Sequence, residues 1–173
     1  MQVISGIYKN RPLKSPNDEK THPMGSREKL ALFNMISTYL PGSTVLDAFA
    51  GSGALGIEAL SRGAKKVIFV EKSGKIAKTI KENLVSLGEK AVENAVIHTE
   101  DVTKFNAEET FDVIIADPPY NLFNPSIIES LIKLLETDGI LVLSHPGEAP
   151  ELPPLKLQKS HTYAAATISI YQR

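Results

Sequence analysis

Apolar residues follow two different spacings along this chain. Short runs of mainly apolar, β-branched residues predict strands covered on both faces of a parallel sheet, and longer segments with apolar residues at every third or fourth position predict amphipathic helices. Strands are predicted at 44–49, 65–71, 94–99, 111–117 and 140–144, and helices at about 54–62 and 74–87. Because strands and helices alternate, the pattern predicts an α/β fold with a mainly parallel, doubly wound sheet.

The residues before the first of these strands predict two further elements. Residues 2–8 and 11–14 have the alternation of a β-hairpin, turned through residues 9–10. Ser26 is predicted to cap a helix whose apolar residues recur at helical spacing, and residues 41–42, Pro-Gly, are predicted to stop it. An N-terminal hairpin extension is therefore expected in front of the sheet.

The C-terminal third predicts a helix and a reversed strand. A helix is expected to start after Asn124-Pro125, since proline is favoured at the first helical position, and to end at residues 138–139. Residues 155–158 and 162–171 predict a terminal antiparallel pair. The expected sheet is therefore parallel except near its C-terminal edge.

A glycine-rich turn follows the first predicted strand. Residues 51–56 read G-x-G-x-x-G, and glycine there permits a tight turn and lets a ligand approach the backbone. The glycines alone fit a dinucleotide-binding oxidoreductase as well as an S-adenosylmethionine (SAM) methyltransferase. Asp47 stands just before them, where a carboxylate would repel a pyrophosphate and attract the ammonium and sulfonium groups of SAM. The negative charge of Asp47 therefore favours SAM over a dinucleotide cofactor.

Two further acids end the next two predicted strands. Glu71, 20 residues after Gly51, could accept hydrogen bonds from both hydroxyls of a ribose. The same spacing serves the ribose of NAD, so Glu71 supports nucleoside binding without choosing the cofactor. Asp101 could accept a hydrogen bond from the 6-amino group of adenine. Together with Asp47, these acids predict a ring of carboxylates around one ligand.

The sequence Asp117-Pro118-Pro119-Tyr120 follows a strand that is nearly all apolar. It places an acid, a carbonyl that can accept a hydrogen bond and an aromatic ring at a strand's carboxyl end, where open α/β sheets bind ligands. This combination predicts a site for a planar amine. Asp117 and the carbonyl of Pro118 would accept the two hydrogens of such an amine, and Tyr120 would stack on the planar ring that carries it.

Composition narrows the chemistry. A length of 173 residues with 42% hydrophobic content predicts one domain, 1–173. No run of 18 apolar residues and no secretory signal is evident, so a cytoplasmic protein without a membrane span is expected. The chain has no cysteine and only four scattered histidines, which disfavours a metal site. Without cysteine, methylation of a pyrimidine at carbon 5 is disfavoured, and a nitrogen acceptor remains.

Charge gives a weak indication of nucleic-acid binding. The net charge is −1 and the pI about 6.4, unlike the basic balance of many nucleic-acid binders. Residues 1–30 carry six basic and three acidic residues, a local balance of +3. On charge alone this face could equally be a solvated surface.

These motifs resemble those of the RsmD family of class I SAM-dependent methyltransferases. The resemblance covers nearly the whole chain and rests on the opening residues 4–13, Arg27-Glu28 with residues 32–34, the glycine turn with its helix (47–64), and residues 117–120. It implies a Rossmann-like seven-stranded sheet and SAM-dependent methylation of the 2-amino group of a guanine in 16S ribosomal RNA. Where members usually have Arg-Pro-Thr, this chain has His22-Pro23-Met24.

The resemblance also implies roles for individual residues. The residues expected to bind SAM are Asp47, Phe49, Gly51, Gly53, Glu71, Lys72, Asp101, Val102 and Asp117. The residues expected to act in catalysis are Asp117, Pro118 and Tyr120. Residues 1–25 would contact RNA. The basic residues expected to bind RNA are Lys9, Arg11 and Lys14 in this range, and Arg27 just after it. The expected partner is ribosomal RNA or the small ribosomal subunit, bound by a monomer without metal.

Two other classes of function stay open from the residues alone. An amino methyltransferase could act on an adenine amine or a protein glutamine amide, although the glutamine enzymes usually have Asn in place of Asp117. The glycine turn also permits an NAD-dependent oxidoreductase or a nucleotide-binding module without catalysis.

Overall fold

A computed structural model describes residues 1–16, 24–119, 123–163 and 166–173. Its centre is a seven-stranded sheet of order β3-β2-β1-β4-β5-β7-β6. The strands are β1 (Thr44–Asp47), β2 (Lys66–Val70), β3 (Ala95–His98), β4 (Phe111–Ala116), β5 (Leu135–His145), β6 (Lys156–Thr162) and β7 (Thr167–Gln172). Strands β1 to β5 are parallel, and β7 pairs antiparallel with both β5 and β6. The predicted fold class and the reversed C-terminal strand are confirmed.

Helices cover both faces of the sheet. They are α1 (Ser26–Met35), α2 (Ala54–Ser61), α3 (Gly74–Leu87), α4 (Glu89–Glu93) and α5 (Pro125–Ile132), with a short 3₁₀ helix at Ser37–Tyr39. Successive strand residues point to opposite faces, so Val45 packs in the cluster under α1 to α4 and Leu46 packs in the cluster under α5. Both faces of the central strands are therefore buried, as their continuous apolar sequence predicts.

Several predicted boundaries are wrong. Gly25, and not Ser26, is the N-cap of α1, and α1 ends at Met35, before the predicted stop. The helix predicted to run to residues 138–139 ends at Ile132, because Leu135 already pairs with Phe111 as the first residue of β5. The five-residue helix α4 was not predicted.

The N-terminal segment, residues 1–14, reverses direction as predicted but is not a regular hairpin. Gln2 and Pro12 form an isolated antiparallel bridge, and Asn10 takes a positive φ of 66° in the turn. The segment lies on the body of the domain, with Val3 and Leu13 buried in the core.

Within the described ranges, no helix is long and apolar enough to cross a membrane.

The third glycine of the turn brings α2 close to β2. A Cβ built on Gly56 would lie 2.3 Å from Cε1 of Phe69. We expect Gly56→Ala to lower the free energy of unfolding by roughly 1–3 kcal/mol, because the helix must move away from the sheet. Urea denaturation would measure this change.

Gly74→Ala is the matched control. Gly74 is also in a helix, but a Cβ there meets only Cγ2 of Thr99, at 3.9 Å. We expect a change within about 1 kcal/mol of wild type, since alanine is a better helix former than glycine. Equal stability of the two variants would show that Gly56 is not required for close packing.

Candidate active site

Three carboxyl groups meet where parallel strands end. Asp47 is the last residue of β1, Glu71 follows β2, and Asp117 follows β4. Strands β2 and β4 flank β1 in the sheet, so their carboxyl ends lie side by side. We call these three residues the acid cluster. Open α/β sheets bind their ligands at this edge.

Asp47 is the most deeply buried member of the acid cluster, with 1% of its surface exposed. Its Oδ2 accepts a hydrogen bond of 2.8 Å from the backbone N–H of Gly56, in the first turn of α2. Its Oδ1 is also buried and has no hydrogen-bond partner within the described residues. The pKa of Asp47 is raised from 3.8 to about 7. Burial is the main cause, the hydrogen bond from Gly56 opposes the rise, and the charges of Asp117 and Glu71 add to it.

Glu71 ties the glycine turn to the end of β2. Its Oε2 accepts from the N–H of Gly51 at 3.0 Å, and its Oε1 accepts from the N–H of Ser73 at 2.8 Å. Each carboxylate oxygen can accept a further hydrogen bond. Glu71 is therefore fixed in orientation and still able to receive hydroxyl donors.

The first two glycines of the turn need positive φ angles, 52° at Gly51 and 79° at Gly53. Side chains rarely adopt this conformation, so glycine is favoured at both positions. A Cβ on Gly51 would meet nothing within 4 Å, whereas one on Gly53 would lie 3.0 Å from Ile80. Gly51 therefore borders open space in which a ligand could approach the backbone.

Asp117 is half-buried, and Pro118 after it is buried. Burial raises the pKa of Asp117, and the nearby hydroxyl of Ser144 partly counteracts the rise. That hydroxyl makes no hydrogen bond of ordinary geometry among the described residues. Ser144 lies near the carboxyl end of β5, next to β4. It was not predicted from the sequence as a site residue. Tyr120 lies outside the described residues.

The residues assigned to adenine follow β3, the strand next to β2. Oδ1 of Asp101 accepts hydrogen bonds from the N–H and the hydroxyl of Thr103, at 2.9 and 2.8 Å. These bonds lower the pKa of Asp101, and Lys72 and Lys104 lower it further. Val102 is buried beside it. Asp101 thus belongs to a local turn.

The remaining residues of the predicted cofactor site differ in exposure. Phe49 is partly buried against the apolar cluster under α5, and Lys72 is exposed. The structure therefore brings Asp47, Glu71, Gly51 and Asp117 together, and it places Asp101 with Val102 at the end of the neighbouring strand β3.

The four basic residues assigned to RNA are all exposed, but two of them are already engaged within the chain. A guanidinium nitrogen of Arg11 donates to the backbone oxygen of Ser86. Lys14 forms an exposed ion pair with Glu82, with Nζ 2.8 Å from Oε2. Lys9 and Arg27 form no ion pair or side-chain hydrogen bond with the described residues.

Two buried polar side chains near the turn were also missed. Glu58 is fully buried in α2 and accepts the backbone N–H groups of Ile4 and Ser5. Asn83 is buried in α3 and bonds to backbone groups of other segments. A polar residue at an inward helical position is the sequence signal that could have identified both.

The described part of the chain contains no group of three or more His, Cys, Asp or Glu residues arranged to hold a metal ion. The buried, unpartnered carboxyl oxygen of Asp47 and the open face of Gly51 fit a ligand that carries positive charge.

The strand order, the reversed β7 and the glycine turn at the carboxyl ends of the strands define a class I methyltransferase. The family model described as Conserved hypothetical protein 95 matches residues 1–172. The chain belongs to this family, which is the RsmD family.

Known relatives agree with this assignment. YlbH of Bacillus subtilis is 37% identical over 185 residues, covering 100% of this chain and 99% of the relative. Ribosomal RNA small subunit methyltransferase D of Haemophilus influenzae is 33% identical over 183 residues, covering 99% and 93%. The solved structure of yhhF from Escherichia coli superposes with a TM-score of 0.88 over 100% of this chain and 97% of that chain. At 24% identity, that structure supports the fold alone.

The raised pKa of Asp47 predicts a pH-dependent stability. The folded protein favours the protonated carboxyl of Asp47. The contribution of this group to the free energy of unfolding is therefore complete below pH 3.8 and is lost as pH rises through about 7. We expect the unfolding free energy of wild type to fall relative to Asp47→Asn between pH 4 and 8, by at most roughly 4 kcal/mol.

The measurement is urea denaturation of both proteins across this range of pH. Asparagine keeps an oxygen that can accept from Gly56 but cannot ionise, so the difference between the proteins isolates Asp47. A difference that does not vary with pH would show that Asp47 has an ordinary pKa.

Proposed function

We propose that this protein transfers a methyl group from SAM to the exocyclic 2-amino group of a guanine in 16S ribosomal RNA. The observation that carries the proposal is the buried and unpartnered Oδ1 of Asp47 beside two other carboxyl groups. A buried carboxylate needs a positive partner, and an anionic cofactor would add to the repulsion. The names of the relatives supply the RNA substrate: the Haemophilus influenzae protein is named as a ribosomal RNA small subunit methyltransferase.

The acid cluster and the glycine turn would hold SAM. Asp47, Phe49, Gly51 and Gly53 would surround its methionine part, and Glu71 would accept hydrogen bonds from the ribose hydroxyls. Asp101 and Val102 would contact the adenine, with Lys72 and Asp117 at the border of the site. SAM supplies a methyl group attached to a positively charged sulfur, which explains the excess of acidic side chains at this edge.

The acceptor amine would lie against Asp117 and Pro118. A guanine 2-amino group is a weak nucleophile because its lone pair is delocalised into the ring. If Asp117 and the carbonyl of Pro118 accept its two hydrogens, the lone pair is directed at the methyl group, while Tyr120 stacks on the base. Catalysis would then depend on positioning and local electrostatics and not on a covalent intermediate.

Asp117 would also receive the proton that the amine must lose. The nitrogen would form a bond to the methyl carbon as the bond from that carbon to sulfur breaks, and the electron pair of the broken bond would stay on sulfur. The nitrogen would then carry a positive charge until it loses one hydrogen as a proton. Burial raises the pKa of Asp117, and a carboxylate with a raised pKa is a better proton acceptor than an exposed one. The nearby hydroxyl of Ser144 would favour the ionised form of Asp117.

The N-terminal region, residues 1–25, would contact the RNA as part of a single catalytic domain of residues 1–173. Lys9 and Arg27 are exposed and could reach phosphates directly, whereas Arg11 and Lys14 would have to exchange their contacts with Ser86 and Glu82. The target guanine must leave its stack, so an unpaired RNA region is the expected target. Such a monomeric, metal-independent enzyme would act in the cytoplasm, where ribosomal subunits are assembled.

Asp117→Ala should separate binding from chemistry. We expect SAM affinity within a few-fold of wild type and a methyl-transfer rate lower by roughly a hundredfold or more, because the variant lacks both the acceptor for the amine and the proton acceptor. Calorimetry and single-turnover transfer measure the two properties. Asp112→Asn, at the exposed opposite end of β4, is the control. Wild-type turnover by Asp117→Ala would contradict the assigned role.

The substrate is tested by transfer of labelled methyl from SAM to RNA from cells that lack this protein. Naked RNA and intact small subunits are assayed in parallel, and nucleosides are identified by mass spectrometry. We expect label in 2-methylguanosine. Label in a methylated adenosine, or label in protein and none in RNA, would contradict the proposed acceptor.

A further inference from the structure

Asn83 joins two segments that meet at the cofactor turn. The residue lies on the inward side of α3 and is 1% exposed. Its Oδ1 accepts from the N–H of Lys14 at 2.8 Å, and its Nδ2 donates to the backbone oxygens of Lys14 at 3.1 Å and Ser52 at 3.0 Å. All three partners are backbone groups, so these bonds depend on the backbone conformation and not on which side chains Lys14 and Ser52 carry.

The bond to Ser52 holds a conformationally demanding part of the turn. Ser52 stands between Gly51 and Gly53, both of which have positive φ. The peptide unit that joins Ser52 to Gly53 is fixed on both sides, because its carbonyl accepts from Asn83 and its N–H donates to the oxygen of Ala50 at 2.7 Å. Without Asn83, the buried carbonyl of Ser52 would lose its partner and this peptide could rotate.

The two bonds to Lys14 hold the end of the N-terminal segment. The earlier part of the segment is attached to α2, where Glu58 accepts from Ile4 and Ser5 and the oxygen of Ser61 accepts from Ile7. Asn83 thus connects the segment that we assign to RNA contact with the turn that we assign to the cofactor. Movement of Lys14 would disturb the same side chain that fixes Ser52.

We propose that Asn83 is a positioning residue that makes cofactor affinity depend on the docked state of the N-terminal segment. The inference rests on the proposed function in one respect, that SAM binds at the glycine turn. RNA that changes the docking of the segment through its basic residues would therefore change SAM affinity, which couples the two ligands.

A double-mutant cycle tests this connection. Gly6→Ala should release the segment, since Gly6 has a φ of 83° and a Cβ there would lie 1.8 Å from the oxygen of Ser61. We expect about tenfold weaker SAM binding in Asn83→Ala, in line with loss of a buried hydrogen bond. Gly6→Ala should weaken SAM binding several-fold in the wild-type background and cause no further loss in the Asn83→Ala background.

Glu82→Gln is the matched control. It changes the neighbouring residue of α3 and removes the exposed ion pair with Lys14, but Glu82 does not bond to the described residues of the turn. We expect wild-type SAM affinity. Independent effects of Gly6→Ala and Asn83→Ala, or wild-type affinity in Asn83→Ala, would overturn the inference.

Amide hydrogen exchange of the wild-type protein tests the same link if a variant fails to fold. The N–H groups of Lys14 and Gly53 should have similar protection factors, and saturating SAM should slow the exchange of both. Slowing at Gly53 alone would overturn the inference. Absence of SAM binding by the wild-type protein would contradict the proposed function, whereas the shared opening of Lys14 and Gly53 would still test the link.

Discussion

The burial of the Asp47 carboxyl group is the constraint on which the rest of the site depends. The carboxyl lies under the glycine turn, with one oxygen bonded to Gly56 and the other without a partner in the described structure. Burial, together with the charges of two further acids, raises its pKa to about 7, so the folded protein favours the neutral form below that pH. A positive group nearby would stabilise the charged form and remove the electrostatic cost of the cluster.

The fold creates this constraint through its topology. Parallel strands β2, β1 and β4 are neighbours, and the chain leaves each of them at the same edge of the sheet. Glu71 then reaches across to the turn after β1, where its carboxylate accepts from Gly51. The acid cluster is therefore also a structural element, because one of its members helps to set the shape of the turn that would enclose the ligand.

The sequence predicted the central sheet well because its strands are buried on both faces. The apolar runs of β2 and β4 end at Glu71 and Asp117, so these strand ends and acids could be recognised together. The first strand was predicted to continue to residue 49, whereas β1 ends at Asp47. The ends of α3 were also predicted, since Ser73 caps the helix and Gly88 ends it with a φ of 113°.

The remaining features depend on contacts between distant residues. The apolar spacing of α5 continues through Leu135, which instead pairs with Phe111 in the sheet. The sequence could not show that Arg11 and Lys14 would be engaged by α3, or that Asn83 would bond to Ser52, 31 residues away in the chain. Nor could it show that Thr103 would donate two hydrogen bonds to Asp101.

The selection of a positively charged cofactor is tested most directly by calorimetric titration of the wild-type protein with SAM and, in parallel, with NADH at pH 8. At this pH Asp47 is mostly ionised when no ligand is bound, since its pKa is about 7. Saturable binding of SAM with no detectable binding of NADH is the predicted result. Binding of NADH as tight as that of SAM, or tighter, would contradict the assignment of the acid cluster to a cationic ligand.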